Sequence, residues 1–242
     1  MTTIGLLSAK HSPGVSTLAS VFAALAAEQG PTLLVEADPS GGDLAARAGL
    51  RLEPGLATLA GAARRGATPG LLDAHVQSLG CGANAVVAPT SPEHACSALR
   101  ALGGRLALTL ASFDGVSIVD LGRWRSDHPA SELLGTVSSG VLLVQPTLEG
   151  VEHARVRLDS LCVDASRVTV AVVGDRPYGA DEIGRALGVQ VQTIDFDRRA
   201  AEHLASGVAL DRWLRRSPLV RTARALFEHL IVGAPLAAEV AR

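Results

Sequence analysis

The sequence predicts an α/β fold with a doubly wound, mainly parallel sheet and helices on both faces. Short apolar runs recur along the chain and are separated by segments of helix length. The runs are continuously hydrophobic, as in TLLVE and VSIVD, which indicates strands that are buried on both faces. The 242 residues contain no linker-like stretch, so we expect one domain over residues 1–242.

The predicted strands are apolar runs that are bounded by Gly, Pro, Asp or Ser. They are Thr3–Leu7, Thr32–Glu36, Ala83–Ala88, Val116–Asp120, Gly140–Val144, Val168–Val173 and Gln190–Ile194. The predicted helices fill the segments between these strands and after the last one. They are Val15–Gln29, Leu44–Ala48, Leu56–Arg65, Pro92–Ala111, Ala130–Val137, Val151–Leu161, Ala180–Leu187, Arg199–Ser206 and Pro218–Val232. In such sheets ligands bind beyond the carboxyl ends of the strands, so the residues after each strand are the candidates for function.

The composition indicates what kind of core the protein has and argues against several kinds of binding site. Hydrophobic residues make up 48% of the chain and aromatic residues only 3%, so we expect a core of Ala, Val and Leu. A net charge of −2 argues against a chain that binds polyanions over its whole surface. The cysteines, Cys81, Cys96 and Cys162, form no CxxC pattern or Cys/His cluster, so we expect buried thiols. No uncharged run reaches the roughly 20 residues of a membrane-spanning helix, so we expect a cytoplasmic protein.

The segment after the first strand has the features of an anion site. Residues 8–17 read SAKHSPGVST and lead into an apolar helix, so backbone N–H groups converge at a helix N-terminus. The Ser16 hydroxyl is suited to Mg²⁺, and Thr17 can donate a hydrogen bond to a phosphate. Of the 22 basic residues the only lysine is Lys10, at the start of this loop. The general pattern GxxxxGK[ST] is only partly kept, so a turn that binds nothing remains an alternative.

Two further strand ends carry carboxylates. Asp38 follows the second strand within the segment EADPSGGD, and Asp120 ends the strand VSIVD, with Gly122 soon after it. The Asp120 carboxylate is placed to hold Mg²⁺ through a water, and the Gly122 N–H to face a phosphate. The alternatives are an Asp-Pro-Ser-Gly turn with a helix cap at the first site and a strand-ending turn at the second.

The phosphate loop resembles the deviant Walker motif KGGxGK[ST][ST] of the MinD/ParA family. Lys10 falls on the signature lysine of that family, which reaches the partner subunit's phosphates across a nucleotide-sandwich dimer. Gly14 falls on the last glycine, and Ser16 and Thr17 fall on the hydroxyl pair. The resemblance therefore implies an ATP site with Mg²⁺, a homodimer linked by the nucleotide, and a catalytic role for Lys10.

The loop also departs from that motif. His11 and Ser12 replace two glycines, Pro13 removes an amide donor, and Val15 replaces the lysine that serves the β- and γ-phosphates. A charge-assisted hydrogen bond is worth about 1.5–3 kcal/mol, so we expect an affinity that is lower by roughly ten- to a hundredfold. Hydrolysis should be weak or absent, because the same charge stabilises the transition state.

Other segments resemble the family in the expected order. Asp38 matches the switch I carboxylate of DxDPxxG, which orients the attacking water near Mg²⁺, and Glu36 stands where aspartate is usual. Asp175 takes the place of the asparagine in the adenine-side loop VVNR, which leaves base specificity open. Asp197 lies in a segment that resembles the loop IPxDxxA, which closes over the base, with Asp195 in place of proline. The resemblance runs from about residue 3 to residue 230.

The C-terminal region bears on possible partners. Residues 198–224 hold seven arginines, as expected of the surface that ParA-like relatives use for nonspecific DNA binding, but acidic residues are interspersed and a solvated helix face is favoured. The chain ends in LIVGAPLAAEVAR, which does not resemble the basic amphipathic membrane helix of MinD. We therefore expect a protein partner of unknown identity and no direct membrane anchor.

Three functions remain open from the sequence. The first is a nucleotide-dependent dimeric switch that positions or regulates a partner machine in chromosome partitioning, cell division or pilus assembly. The second is a pseudo-ATPase scaffold that binds nucleotide poorly or never. The third is a metabolic ATP-dependent enzyme of the same superfamily, and the absence of paired cysteines removes its iron–sulfur version.

Overall fold

The computed structural model describes residues 2–10, 13–66, 70–125, 127–161 and 167–232. The strands of the described residues are β1 Thr2–Ser8, β2 Thr32–Glu36, β3 Gln77–Ser78, β4 Asn84–Val86, β5 Val116–Arg123, β6 Ser139–Val144, β7 Val168–Val173 and β8 Val191–Ile194. The α-helices are α1 Val15–Ala27, α2 Leu44–Ala48, α3 Leu56–Ala63, α4 Pro92–Leu102, α5 Gly104–Ala111, α6 Ser131–Leu134, α7 Leu148–Ser160, α8 Ala180–Leu187, α9 Arg198–Leu204 and α10 Pro218–Val232. Short 3₁₀ turns cover Asp73–His75 and Leu214–Arg216.

The strands form one eight-stranded sheet with the order β3-β4-β2-β5-β1-β6-β7-β8. All neighbouring strands are parallel except β3 and β4, which are antiparallel. Because the strands are buried on both faces, the helices must cover the sheet on either side. The predicted doubly wound, mainly parallel α/β fold is confirmed.

The core consists of two layers, one on each face of the sheet. On the first face α1 packs with α2, α9 and α10, and its apolar positions are almost all buried. The rings of Phe22 and Phe227 meet there with centroids 5.3 Å apart. On the second face α3 to α8 cover the sheet. Among the described residues no helix is both long enough and apolar enough to cross a membrane.

Two elements differ from the sequence predictions. The predicted helix Pro92–Ala111 is divided into α4 and α5 at Gly103, which has φ +48° and ψ −137°, a conformation that a helix cannot contain. Glycine reaches this backbone region because it lacks a Cβ. The edge strand β3 was not predicted, because its two residues are too few to show a periodic pattern.

The strand order decides where the functional residues meet. The central strand β1 lies between β5 and β6, and β2 lies beyond β5. Leu6 is opposite Asp120, and Glu36 is also opposite Asp120, so the carboxyl ends of these three strands are level. The register shifts between Leu6 and Ser8 of β1, where β5 contains one extra residue between Asp120 and Arg123. The loops after β1, β2 and β5 therefore share one edge of the sheet.

Candidate functional site

The N-terminus of α1 is open to an anion. Gly14 precedes the helix with φ +101° and ψ 32°, and its carbonyl accepts a hydrogen bond from the Leu18 amide at 2.9 Å. A left-handed conformation favours glycine, which explains why this residue of the motif is kept. Among the residues that the structure describes, no side chain caps the helix, and the first turn contains no acidic residue. Its first N–H groups and its dipole are therefore available to a phosphate.

The position of the Walker lysine is filled by a core residue. Val15 is only 6% exposed and belongs to the apolar layer that α1 forms with the sheet. Pro13 is also buried, whereas Lys10, Ser16 and Thr17 are partly exposed. The predicted ligands His11 and Ser12 lie outside the described residues. In the described part of this loop Lys10 is the one cation.

Asp120 is the buried centre of the site. Its Oδ1 accepts a hydrogen bond from the Gly122 amide at 2.9 Å, and its carboxylate also accepts one from the Ser16 hydroxyl. Burial raises the pKa of Asp120 to about 7, and these two hydrogen bonds only partly oppose that effect. The negative charges of Asp38 and Glu36 contribute to the same rise. The negative charge of this buried carboxylate is costly, and a bound cation would offset that cost. The position is therefore suited to a metal ion.

Asp38 packs directly on the turn that follows Asp120. Gly122 has φ +60°, and a Cβ added there would overlap the carboxyl carbon of Asp38. The Asp38 Oδ1 accepts a hydrogen bond from the Ser40 amide at 2.7 Å, and the Ala37 amide donates to the Asp120 carbonyl at 2.7 Å. The two carboxylates that were predicted from separate motifs therefore lie close together at this turn, and Ser16 lies beside Asp120.

Glu36 has a structural role that the sequence did not reveal. Its Oε1 accepts hydrogen bonds from the amides of Asp43 (2.9 Å) and Leu44 (2.8 Å), and its Oε2 accepts one from the Ala88 amide (2.9 Å). Burial raises the pKa of this carboxyl above its ordinary value, and the three amides oppose that effect. The longer side chain in place of the usual aspartate thus ties β2 to the start of α2 and to the end of β4. The neighbouring glycines, Gly41 and Gly42, were the only sequence signal of such a close approach.

A second buried residue holds the segment after β5. His128 is 3% exposed; its Nδ1 accepts from the Ala130 amide at 3.1 Å, so its Nε2 carries the proton and donates to the Leu121 carbonyl at 2.9 Å. Its ring stacks on Trp124 with centroids 4.6 Å apart. Burial lowers the pKa of His128, which favours this neutral form. No sequence motif indicated this contact.

The residues present fit a magnesium ion that is shared with a nucleotide. Among the described side chains no group of three or more His, Cys, Asp and Glu could hold a metal alone. Mg²⁺ usually takes only one or two carboxylates and completes its octahedral shell with phosphate oxygens and waters. Asp120, Asp38 and the Ser16 hydroxyl supply such a partial set beside the N-terminus of α1. We call Glu36, Asp38, Asp120 and Gly122 the metal side of the site.

The ends of β7 and β8 lie on the other side of β1. The Gly174 amide donates to the Ile194 carbonyl at 2.8 Å, which brings the two strand ends together. Asp175 is exposed there, Phe196 is 71% exposed, and Asp197 caps α9 by accepting from the Ala200 amide at 3.0 Å. We call Asp175, Phe196 and Asp197 the base side. The structure therefore separates the predicted base residues from the predicted metal ligands by β1 and β6.

Several C-terminal arginines make contacts within the chain. Arg215 forms an ion pair with Glu28 at 2.7 Å, and Arg224 forms a longer one with the same carboxylate at 3.5 Å. Arg199 lies over the Trp213 ring, 4.7 Å from its centroid. These contacts join the C-terminal elements to each other and to the end of α1.

Comparisons with known proteins agree with this fold. A ParA family ATPase from Chlorobium tepidum TLS is 25% identical, with a TM-score of 0.77 over 95% of this chain and 98% of that chain. MinD of Pyrococcus horikoshii OT3 in complex with Mg-ADP is 15% identical, with a TM-score of 0.74 over 96% and 98%. The MinC:MinD cell division complex of Aquifex aeolicus gives 17% identity and a TM-score of 0.66 over 94% and 96%.

The comparisons by sequence and the comparison by structure give different results. No family model and no curated protein matches the sequence, whereas solved structures match it over nearly its whole length. The likeness therefore lies in the fold, which extends over at least 94% of this chain in each of these comparisons. This chain therefore has the fold of the MinD/ParA type of P-loop ATPases.

Proposed function

We propose that this chain is a Mg·ATP-binding switch of the MinD/ParA type, which forms a nucleotide-linked homodimer and acts on a protein partner. One observation carries the proposal: Ser16, Asp120 and Asp38 converge beside the uncapped N-terminus of α1. A helix end without a side-chain cap leaves N–H donors for phosphate, and the adjacent carboxylates suit the accompanying Mg²⁺.

Each residue has a distinct role in this proposal. The N–H groups from Gly14 to Thr17 bind the phosphates, and Lys10 adds a positive charge, to its own subunit or to the partner subunit of the dimer. The Ser16 hydroxyl and the Asp120 carboxylate would hold Mg²⁺, which would offset the negative charge of the phosphates. Asp38 orients the attacking water for any hydrolysis that occurs. Because Val15 places a methyl-bearing side chain in the core where the family has a lysine, turnover is weak or absent.

The relatives support the nucleotide and the partner. MinD of P. horikoshii is complexed with Mg-ADP, and MinD of A. aeolicus forms a complex with MinC. By analogy, the output of this chain would be the positioning or regulation of a partner machine in chromosome partitioning, cell division or pilus assembly. Base recognition would fall to Asp175 and Asp197 at the ends of β7 and β8.

Calorimetric titration of Mg·ATP tests the proposal. We expect binding in the micromolar range by wild type, weakened about tenfold or more in Lys10→Ala, because a charged hydrogen bond to phosphate is lost. Arg105→Ala is a matched control, since Arg105 is an exposed cation on α5, on the face of the sheet away from α1. Sedimentation with and without Mg·ATP then measures the dimer.

The second candidate is a scaffold that does not turn over nucleotide. Two buried residues of the loop favour it, because Pro13 lacks an N–H donor and Val15 lacks a charge. The same titration separates the candidates. No heat of binding at millimolar ATP, together with an unchanged dimer fraction, would favour the scaffold and refute the switch.

A further inference from the structure

The charge of a bound nucleotide exceeds the charge of the loop that would hold it. The described part of the phosphate loop contains one cation, Lys10, and the position of the second is occupied by buried Val15. The metal side adds three carboxylates around the same point, of which Asp120 and Glu36 are almost fully buried. In addition to Mg²⁺ and Lys10, a positive side chain from another element would therefore stabilise a triphosphate bound there.

Arg47 of α2 lies at this place. It lines a small cleft together with Ser16 of α1, Glu36 of β2 and Asp120 of β5. The cleft therefore joins the predicted Mg²⁺ residues to a guanidinium that no motif had singled out. Guanidinium groups bind phosphate oxygens in pairs through two parallel N–H donors.

Arg47 forms an ion pair with Asp43 that it can leave with little loss of stability. Its Nη2 donates to Asp43 Oδ2 at 2.8 Å, and the two side chains are 40% and 70% exposed. Exposed ion pairs of this i,i+4 type contribute only about 0.3–0.5 kcal/mol. The guanidinium is thus free to leave Asp43 for a ligand of higher charge.

The helix that carries Arg47 is held firmly. Glu36 accepts the amides of Asp43 and Leu44 at 2.9 and 2.8 Å, which fixes the start of α2 to the sheet. Leu44 and Ala45 are buried against the α1 layer. Arg47 therefore extends from a fixed backbone, and only its side chain has to move.

We propose that Arg47 binds the terminal phosphate of the nucleotide and supplies the cation that Val15 does not. The metal side lies at the ends of β2 and β5, and α2 follows β2, whereas the base side lies beyond β6. We therefore assign to Arg47 the phosphate that is furthest from the base. The inference rests on the proposed function, since it assigns a residue to that same nucleotide site.

Titration of Mg·ATP and Mg·ADP into four variants tests the proposal. We expect Arg47→Ala to weaken Mg·ATP binding about tenfold or more and Mg·ADP binding about twofold or less. Arg47→Lys should keep part of the ATP affinity. Asp43→Asn should bind ATP as tightly as wild type or more tightly, because it releases the guanidinium, and Arg105→Ala is the exposed control.

The outcomes separate this inference from the proposed function. If wild type binds Mg·ATP and Arg47→Ala binds it equally well, the role of Arg47 is refuted while the ATP site stands. Equal weakening by Arg47→Ala and Asp43→Asn would also refute it, since the pair would then act only by supporting α2. If wild type binds no nucleotide, both proposals fail. Thermal unfolding of each variant confirms that the fold is retained.

Discussion

The two sides of the site are built in opposite ways. On the metal side, Glu36 and Asp120 are 5% and 3% exposed, and backbone amides occupy their oxygens. On the base side, Phe196 is 71% exposed, and Asp175 is exposed beside it. The metal side is thus fixed by packing before any ligand binds, whereas the base side tolerates change. We therefore expect substitutions on the metal side to cost more stability than substitutions on the base side.

The largest effect should come from Glu36→Ala on the metal side. The substitution leaves three buried amides, of Asp43, Leu44 and Ala88, without an acceptor. We expect the free energy of unfolding to fall by roughly 3–5 kcal/mol, as measured by urea denaturation. Asp175→Ala on the base side should change it by less than about 0.5 kcal/mol. Equal losses in the two variants would remove the contrast between the sides.

The next effect is a pH dependence that Asp120 causes in the ligand-free protein. Its pKa is about 7 in the folded state and near the ordinary 3.8 in the unfolded chain. Between roughly pH 4 and pH 7 the folded state holds a proton that the unfolded state has lost, so stability falls as the pH rises and is level above this range.

Asp120→Asn removes this titration. We expect the variant to be more stable than wild type at pH 8, by on the order of 3 kcal/mol, and similar to it near pH 4. Glu36, whose pKa is also raised by burial, leaves a smaller dependence of the same sign. Thermal unfolding from pH 4 to pH 8 measures both curves. A wild-type stability that rises through this range would contradict the burial of Asp120.

Alanine substitutions at two glycines separate the effect of packing on the metal side from the effect of backbone strain. Both Gly122 (φ +60°) and Gly174 (φ +86°) have left-handed conformations, so alanine at either one costs about 1–2 kcal/mol. A Cβ on Gly122 also overlaps Asp38, whereas a Cβ on Gly174 meets nothing within 4 Å. We expect Gly122→Ala to lose roughly 1 kcal/mol more than Gly174→Ala in chemical denaturation. No difference would mean that Asp38 moves aside freely.

The smallest effect should come from Phe196→Ala on the base side. The ring is mostly exposed, so we expect the free energy of unfolding to change by no more than about 0.5 kcal/mol. A loss above about 1.5 kcal/mol would show that the base side is packed like the metal side.

The features that could be predicted from the sequence are those that depend on short, local patterns of residues. The continuous apolar runs identified seven strands. The structure brings together the carboxylates Asp38 and Asp120, which were singled out at the ends of two of these strands. The role of Glu36 was missed because its partners are the amides of Asp43, Leu44 and Ala88, and the last of these is 52 residues away. The break at Gly103 was missed because glycine also occurs inside helices.

The central claim is that the chain binds a nucleotide together with Mg²⁺ and that Asp120 is needed to hold this ion. Its most direct test is ATP binding by wild type and Asp120→Asn, each measured by calorimetry in Mg²⁺ and again in EDTA. We predict that wild type binds ATP at least tenfold more tightly in Mg²⁺ than in EDTA, and that Asp120→Asn loses most of this difference. Binding that is equal with and without Mg²⁺, or the same metal dependence in both proteins, would contradict the account.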